Sequence, residues 1–429
     1  MTQTDIMKNL RYILLSAVAL VTLAGCDKWI DNAKTPSNSL TYDDLRRPGM
    51  MASVKGKTLT DGALTANVKT LAGQASSAAF MALGAMTDEL TPTKVPNALV
   101  YKALSDDNAS SAGGEADGVF NNLQNLRARA EELLAIEAST EDDGSAGYEI
   151  VRAYARHTGH LYAGYAYKLL TDCFSSNPSA AGEVPVNGKN LTHEALYAEA
   201  ITHLQAAVRE ADAEVLRGMG GAFNRDLAVG SAEALLCKLY MSRGQYAEAS
   251  AHLDAALGEK ATMQIIYNVN GSPNGLYSTL GETARDVEVD ADIVNSLRND
   301  AERKAVPTAT NKEGNRYLTN LQRHSPLTIT DGAEMLLIRA ELIVRGVRTG
   351  DALATVNRVI TTYDAASALT TQPTLSDIDH LRRVYLFLRG ERTLDYRRGL
   401  TTAAKQQTWQ ARRLKWMPLP ENETERPNN

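Results

Sequence analysis

Cysteine and tryptophan each occur three times in 429 residues, and phenylalanine only five times. So few cysteines leave no paired-cysteine zinc pattern, and apart from Cys26 only Cys173 and Cys237 remain, both inside apolar helical patterns. We read these two as buried free thiols, although an oxidising compartment would permit a bridge. After Leu23 there is no long apolar run, so no later segment offers the roughly 20 apolar residues that a membrane-spanning helix needs. Basic excess is also missing: the formal charge is −6, which leaves no electrostatic footprint for nucleic acid. Catalytic signatures are equally scarce. There is no Gly-x-Gly-x-x-Gly and no nucleophile-elbow serine. Gly56-Lys57-Thr58 looks like the end of a phosphate loop, but Met51 stands where its first glycine belongs. His157 and His160 sit three apart on a helix without a carboxylate or cysteine at ligand spacing, and are read as surface histidines that hold no metal. Carboxylates abound but none is singled out as half of a glycosidase pair. No catalytic residue and no cofactor is expected, and the chain is not read as an enzyme.

What is present starts at the N-terminus. Lys8 and Arg11 precede an apolar stretch from Tyr12 to Leu23, which Leu23-Ala24-Gly25-Cys26 closes. With Met7 as the start, these are the parts of a secretory signal, too short to span a bilayer. A cysteine directly after the small residues is the lipobox pattern. Residues 1–25 are therefore expected to be a lipoprotein signal peptide and Cys26 the lipidated N-terminus of the mature chain. Each buried methylene of a lipid contributes roughly 0.8 kcal/mol, and two or more chains anchor stably. Cleavage would remove two bases, Lys8 and Arg11, and one acid, Asp5, taking the charge from −6 to −7. Residues 26–45, rich in Asn, Ser, Thr and Asp, read as anchor and tether. Residues 46–429 read as a single body.

That body is mostly helical. The alanine-rich stretch from Leu59 to Met86 is a good helix former, and Pro92 and Pro96 stop it. Helices are predicted near 118–137 and over 146–174. A two-helix rhythm follows. Ala232-Glu233-Ala234-Leu235-Leu236 opens a helix that Gly244 breaks, and Tyr246, Ala249, Leu253 and Ala256 line the next. Ala333-Glu334-Met335-Leu336-Leu337, Gly346, then Ala352, Val356 and Val359 repeat the arrangement. Leu161–Phe174 with Leu196–Val208 is a less perfect unit. Small residues where paired helices cross, with a glycine at the turn, suit tetratricopeptide-like hairpins that stack because none buries its apolar face alone. Residues 259–330 differ. Their Asn-Gly and Pro-Asn-Gly turns and short apolar runs predict an irregular insertion without helical period, and long excursions of this kind carry function.

The C-terminal hundred residues hold the Glu-Met-Leu-Leu-Ile-Arg-Ala-Glu run at 334–341, Arg389-Gly390-Glu391-Arg392, Asp395 with Arg398, and the ending Met417-Pro418-Leu419-Pro420 with Glu421, Glu423, Pro427 and Asn428. In these motifs the chain resembles the RagB/SusD family of outer-membrane nutrient-binding lipoproteins. The alternating charges from Arg389 to Arg398 are themselves read as a clamp of bidentate ion pairs. The resemblance implies an α/α fold, a right-handed superhelix of tetratricopeptide-like hairpins with loop-rich insertions. It also implies a lipid-anchored lid, at the cell surface, on a SusC-like TonB-dependent outer-membrane β-barrel, to which an oligosaccharide or peptide is handed over. Such lids present aromatic faces to sugar rings. With tryptophan so scarce, Tyr101, Tyr267, Tyr277 and Tyr317 become the candidate platform, and Asp88, Glu89, Asn97, Asn270 and Asn274 its polar partners. Two other readings stand beside this one: a periplasmic scaffold whose hairpins dock an outer-membrane protein complex, and a surface glycan hydrolase.

Overall fold

Packing of helix on helix dominates the computed structural model, which describes residues 41–94, 99–268, 271–283 and 286–424. The expected signal, Cys26, Asn97, Asn270 and the Pro427-Asn428 ending lie outside these residues. The described residues fall into two units, divided after Leu45. In the first, the described part is the short helix Tyr42–Leu45, capped by Asp44 accepting from the Thr41 backbone N–H at 3.1 Å.

In the second, the helices that build the hairpins and the groove are α1 (Ala63–Ala85), α2 (Asp117–Ala138), α3 (Tyr148–Cys173), α4 (His193–Ala211), α5 (Arg225–Ser242), α6 (Tyr246–Leu253), α7 (Gly332–Val344), α8 (Ala352–Ile360) and α9 (Leu375–Tyr385), followed by the short α10 (Arg392–Arg397). Three hairpins carry the predicted rhythm: α3 on α4, α5 on α6 and α7 on α8. Their turns use the predicted glycines. Gly244 has φ +69 and Gly346 φ +73, a left-handed conformation that a Cβ would strain. The caps were written locally as well. Asp331 accepts from the Glu334 N–H at 2.9 Å to start α7, and Asp351 from the Ala354 N–H at 3.1 Å to start α8, each worth about 1 kcal/mol. The alanines of α1 allow close approach, so this helix packs on both α2 and α3. No described helix is long and apolar enough to cross a membrane.

The six sheets among the described residues have two strands each. One defines the insertion: Thr262–Ile265 pairs antiparallel with Leu327–Asp331, with a bulge between Thr328 and Thr330. The segment 259–330 is thus a loop closed at its neck by its own first and last strands. Its interior, which shows no helical period in the sequence, is nevertheless not wholly irregular. Short helices occur at Gly275–Leu280, Ala291–Ser296 and Asp300–Ala305, each too brief to show a period and each started by an Asn or Asp cap.

The C-terminal charges do clamp the fold. Arg389 pairs with Asp331 at 2.7 Å, Arg382 with Asp395 at 3.0 Å, and Arg398 with both Glu341 and Asp395 at 2.7 Å. Glu391 lies 3.0 Å from Lys238. These contacts tie α9 and α10 to α5, α7 and the insertion neck. Cys173 and Cys237 are both buried and free, as read from the sequence.

Candidate functional site

Three helix faces and one strand edge enclose the main groove. From α1 come Lys69, Thr70, Gly73, Gln74 and Ser77, spaced so that they fall on one side of a helix. From α3 come Tyr154, His157, Thr158, Leu161 and Tyr162, on one face by the same spacing, and α5 adds Leu227 and Ser231. The fourth wall is the first strand of the insertion. Its alternation buries Met263 and Ile265 and turns Gln264 and Ile266 into the groove, Ile266 with 62% of its surface exposed. The groove has two lobes. One, of 540 Å³, runs beside Gln74, Tyr267 and Asn268; the other, of 420 Å³, runs beside Tyr154, Phe223 and Asn224. Lys69, Tyr162, Gln264 and Ile266 line both and form the saddle between them.

At the saddle the polar groups are held in a closed triangle. Lys69 Nζ donates to both Asp61 oxygens, at 2.9 and 2.8 Å, and to the Tyr154 hydroxyl at 2.8 Å. Tyr154 in turn donates to Asp61 at 2.6 Å. Burial, together with the Asp61 charge, raises the Tyr154 phenol well above its ordinary value, so it remains a neutral donor. Burial likewise pushes Tyr162 up to about 12 and lowers His157 to about 4. His157 Nδ1–H donates to the Ala207 carbonyl at 3.0 Å, and its ring meets Phe223 edge-on at 6.1 Å. Tyr267 lies over α1 where Gly73 has no side chain: a Cβ there would sit 2.9 Å from its hydroxyl. That hydroxyl is buried without a hydrogen-bond partner, and burial pushes it up to about 12.

Of the residues proposed from sequence, Tyr267 lines the groove. Tyr101 is half-buried and hydrogen-bonded to Thr279, Tyr277 packs against Gly281, and Tyr317 sits in a strand opposite Ala309; these three line neither lobe. Asn274 is fully buried, capping its helix through the Leu276 N–H at 2.9 Å and donating to the Ser325 carbonyl at 2.8 Å. Rather than lying on an open surface, Asp88 belongs to the ion cluster and Glu89 is buried beside it. Asp88 contacts Arg383 at 3.0 Å, Arg392 at 2.7 Å and Lys405, and although burial opposes ionisation these cations hold it well below the usual carboxylate range. Glu89 is 1% exposed and accepts from the Leu388 N–H at 3.0 Å. The histidines also differ from expectation. His157 is buried, and His160 is half-buried with its Nδ1 3.0 Å from that of His203, because α4 packs against both, through the Ala207 carbonyl and through His203. No group of three metal-binding side chains occurs among the described residues. Trp409 is buried, and half-buried Trp416 is fixed by donating to the Thr171 carbonyl and by Arg397 lying 4.0 Å over its ring. Sequence reasoning missed Asp61, Lys69, Tyr154, Tyr162 and Gln264; for Lys69, Tyr154 and Tyr162 the only signal was polar and aromatic residues at helical spacing on α1 and α3, while Asp61 and Gln264 lie in short strands.

No family model matches this chain, and no curated protein matches it in sequence. Solved structures do. A surface glycan-binding protein A from Bacteroides thetaiotaomicron, in complex with laminarihexaose, aligns with TM-score 0.62 and 16% identity over 83% of this chain and 97% of that one. A SusD superfamily protein from Bacteroides vulgatus aligns with TM-score 0.61 and 13% identity over 84% and 96%. A laminarin-binding SusD-like protein aligns with TM-score 0.61 and 16% identity over 85% and 97%. Alignment over nearly the whole of each of these proteins establishes that this chain has the SusD-like fold.

Proposed function

We propose that this protein is an outer-membrane lipoprotein, anchored through Cys26 and exposed at the cell surface, that binds an oligosaccharide and delivers it to a SusC-like TonB-dependent β-barrel. The observation that carries the reading is the two-lobed groove, where aromatic rings alternate with amides and hydroxyls on a fold shared with glycan-binding proteins. Aromatic faces suit sugar C–H surfaces, and amides both donate to and accept from hydroxyls. Binding of this kind needs no cofactor and no covalent chemistry. Peptide is the other ligand class that the family resemblance allows. The insertion that builds one wall of the groove is more than a pure docking scaffold requires, which weighs against that alternative.

The decisive experiment is purification of the lipidated protein from detergent-solubilised outer membrane of its host, with mass spectrometry of what co-elutes. A near-stoichiometric TonB-dependent barrel is the expected result; recovery alone, or with periplasmic proteins only, would refute delivery. A second experiment addresses the groove. Gly73→Ala should leave stability nearly unchanged, because a helix-propensity gain of about 1 kcal/mol offsets the small shifts required of the Tyr267 hydroxyl, 2.9 Å from the new Cβ, and of Ile265 Cγ2, 3.0 Å from it. The shifted Tyr267 ring narrows the larger lobe, and affinity for the glycan should fall about tenfold, or about 1.4 kcal/mol. Unchanged affinity, read by calorimetry, would remove Tyr267 from the site.

A further inference from the structure

Among the described residues that line the two lobes, one carries a full positive charge and one a full negative charge: Lys69 and Asp61. They are already paired at 2.8 Å. An ammonium has three N–H donors, and here they are directed at the two Asp61 oxygens and the Tyr154 hydroxyl. The Tyr154 proton is itself committed to Asp61. His157, the remaining basic side chain of the lining, uses its Nδ1–H on the Ala207 carbonyl and is buried. Its lowered pKa keeps the ring neutral at physiological pH. A ligand carboxylate or sulfate entering either lobe would therefore give up part of its water without meeting a cation free to pair with it, which is unfavourable. A ligand ammonium would find Asp61 equally occupied. Gln74, Gln264 and Asn268, by contrast, face the groove with amides that match hydroxyl groups in both directions. Lys69, Tyr162, Gln264 and Ile266 line both lobes, so the lobes adjoin and one chain can reach from one into the other.

Resting on the reading of this groove as the oligosaccharide site, we infer that it takes an uncharged linear oligosaccharide lying through both lobes, and that the Asp61–Lys69–Tyr154 triangle excludes uronic-acid and sulfated chains. Neutralisation inside the groove, not the net charge of the protein, sets the selection. Asp61 and Lys69 are each about one-third exposed, so the pair can be altered without opening the core.

The test is an array of neutral oligosaccharides (laminari-, manno-, xylo- and maltohexaose among them) beside oligogalacturonates and chondroitin fragments, probed with the intact lipoprotein in detergent. Hits are followed by titration at low and high salt. The expected result is binding within the neutral set, with affinity changing less than about twofold between about 0.05 and about 0.5 M NaCl. The trisaccharide of the same linkage should bind at least about tenfold more weakly, since it fills one lobe. Asp61→Asn releases the Lys69 ammonium and should raise affinity for oligogalacturonate about tenfold at low salt, a gain that high salt removes. Preferential, salt-sensitive binding of acidic chains by the unaltered protein would overturn the inference while leaving glycan binding intact. So would an Asp61→Asn protein as indifferent to oligogalacturonate as its parent, and equal affinity for trimer and hexamer would overturn the two-lobe path. Binding of no glycan, with capture of a peptide instead, would overturn the proposed function itself.

Discussion

Replacing Arg398 with alanine should cost about 3–5 kcal/mol of unfolding free energy, the largest single-residue effect expected in this chain. The guanidinium follows α10, is 3% exposed, and bridges Glu341 on α7 to Asp395 on α10, which are 0% and 2% exposed. It reaches Glu341 Oε2 and Asp395 Oδ1 at 2.7 Å. Its removal leaves two carboxylates facing each other away from water. Arg345 on Glu341 at 2.8 Å and Arg382 on Asp395 at 3.0 Å remain, but neither spans both acids. The loss is therefore a broken bridge between two helices rather than one missing contact. Arg398→Lys should recover part of it, because an ammonium restores the charge without the planar fork that serves two carboxylates at once. Urea unfolding of the three proteins decides the matter. A loss below about 1 kcal/mol for the alanine variant would mean that the network tolerates a gap and is not the clamp described.

This network also shows what was legible in the sequence and what was not. The alternating signs from Arg389 to Arg398 lie within one short segment, so a clamp could be inferred, and the hairpin glycines Gly244 and Gly346 announced themselves by following apolar helical faces. The partners of the clamp could not be read. Asp88 and Glu89 stand in Thr87-Asp88-Glu89-Leu90-Thr91-Pro92, whose composition suits an exposed turn, and their counterparts Arg392 and Leu388 are about 300 residues downstream. Only tertiary packing turns that turn into a buried charge site. The groove was hidden for the same reason. Tyr154 and Lys69 are separated by 85 residues, and Tyr154 and Asp61 by 93. Lys69 and Tyr154 each have, on their own helices, the spacing of an ordinary amphipathic face, and Asp61 ends a short strand. Tyr267 was accessible to reasoning because it sits where an irregular insertion begins, and that position told more than its residue type.

Substituting Glu89 with glutamine should change how stability depends on pH, by an amount comparable with the loss of Arg398. Burial, reinforced by the negative charge on Asp88 and opposed by the Leu388 N–H and neighbouring arginines, raises the Glu89 carboxyl from 4.5 to about 8. At neutral pH it is protonated in the folded protein and ionised in the unfolded chain. A group whose folded pKa lies above its unfolded value contributes stability that is fully present below the unfolded pKa and is lost as pH rises through the folded one. The window here runs from pH 4.5 to about 8, and within it the wild type should lose about 1.4 kcal/mol per pH unit from this group. Glutamine has no proton to lose. It keeps an oxygen for the Leu388 N–H and sets its amide where Glu89 Oε2 has no hydrogen-bond partner. Asp88, Glu341 and Asp395 are held below their ordinary values, so their contributions fall away only in acid and are common to both proteins. Subtracting the two pH profiles therefore isolates Glu89. The difference should be small near pH 4.5 and grow in favour of the glutamine variant up to about pH 8, then level off. Parallel profiles across that window would mean that Glu89 is ionised in the folded state, and the local charge balance would then have to include a cation reaching its second oxygen.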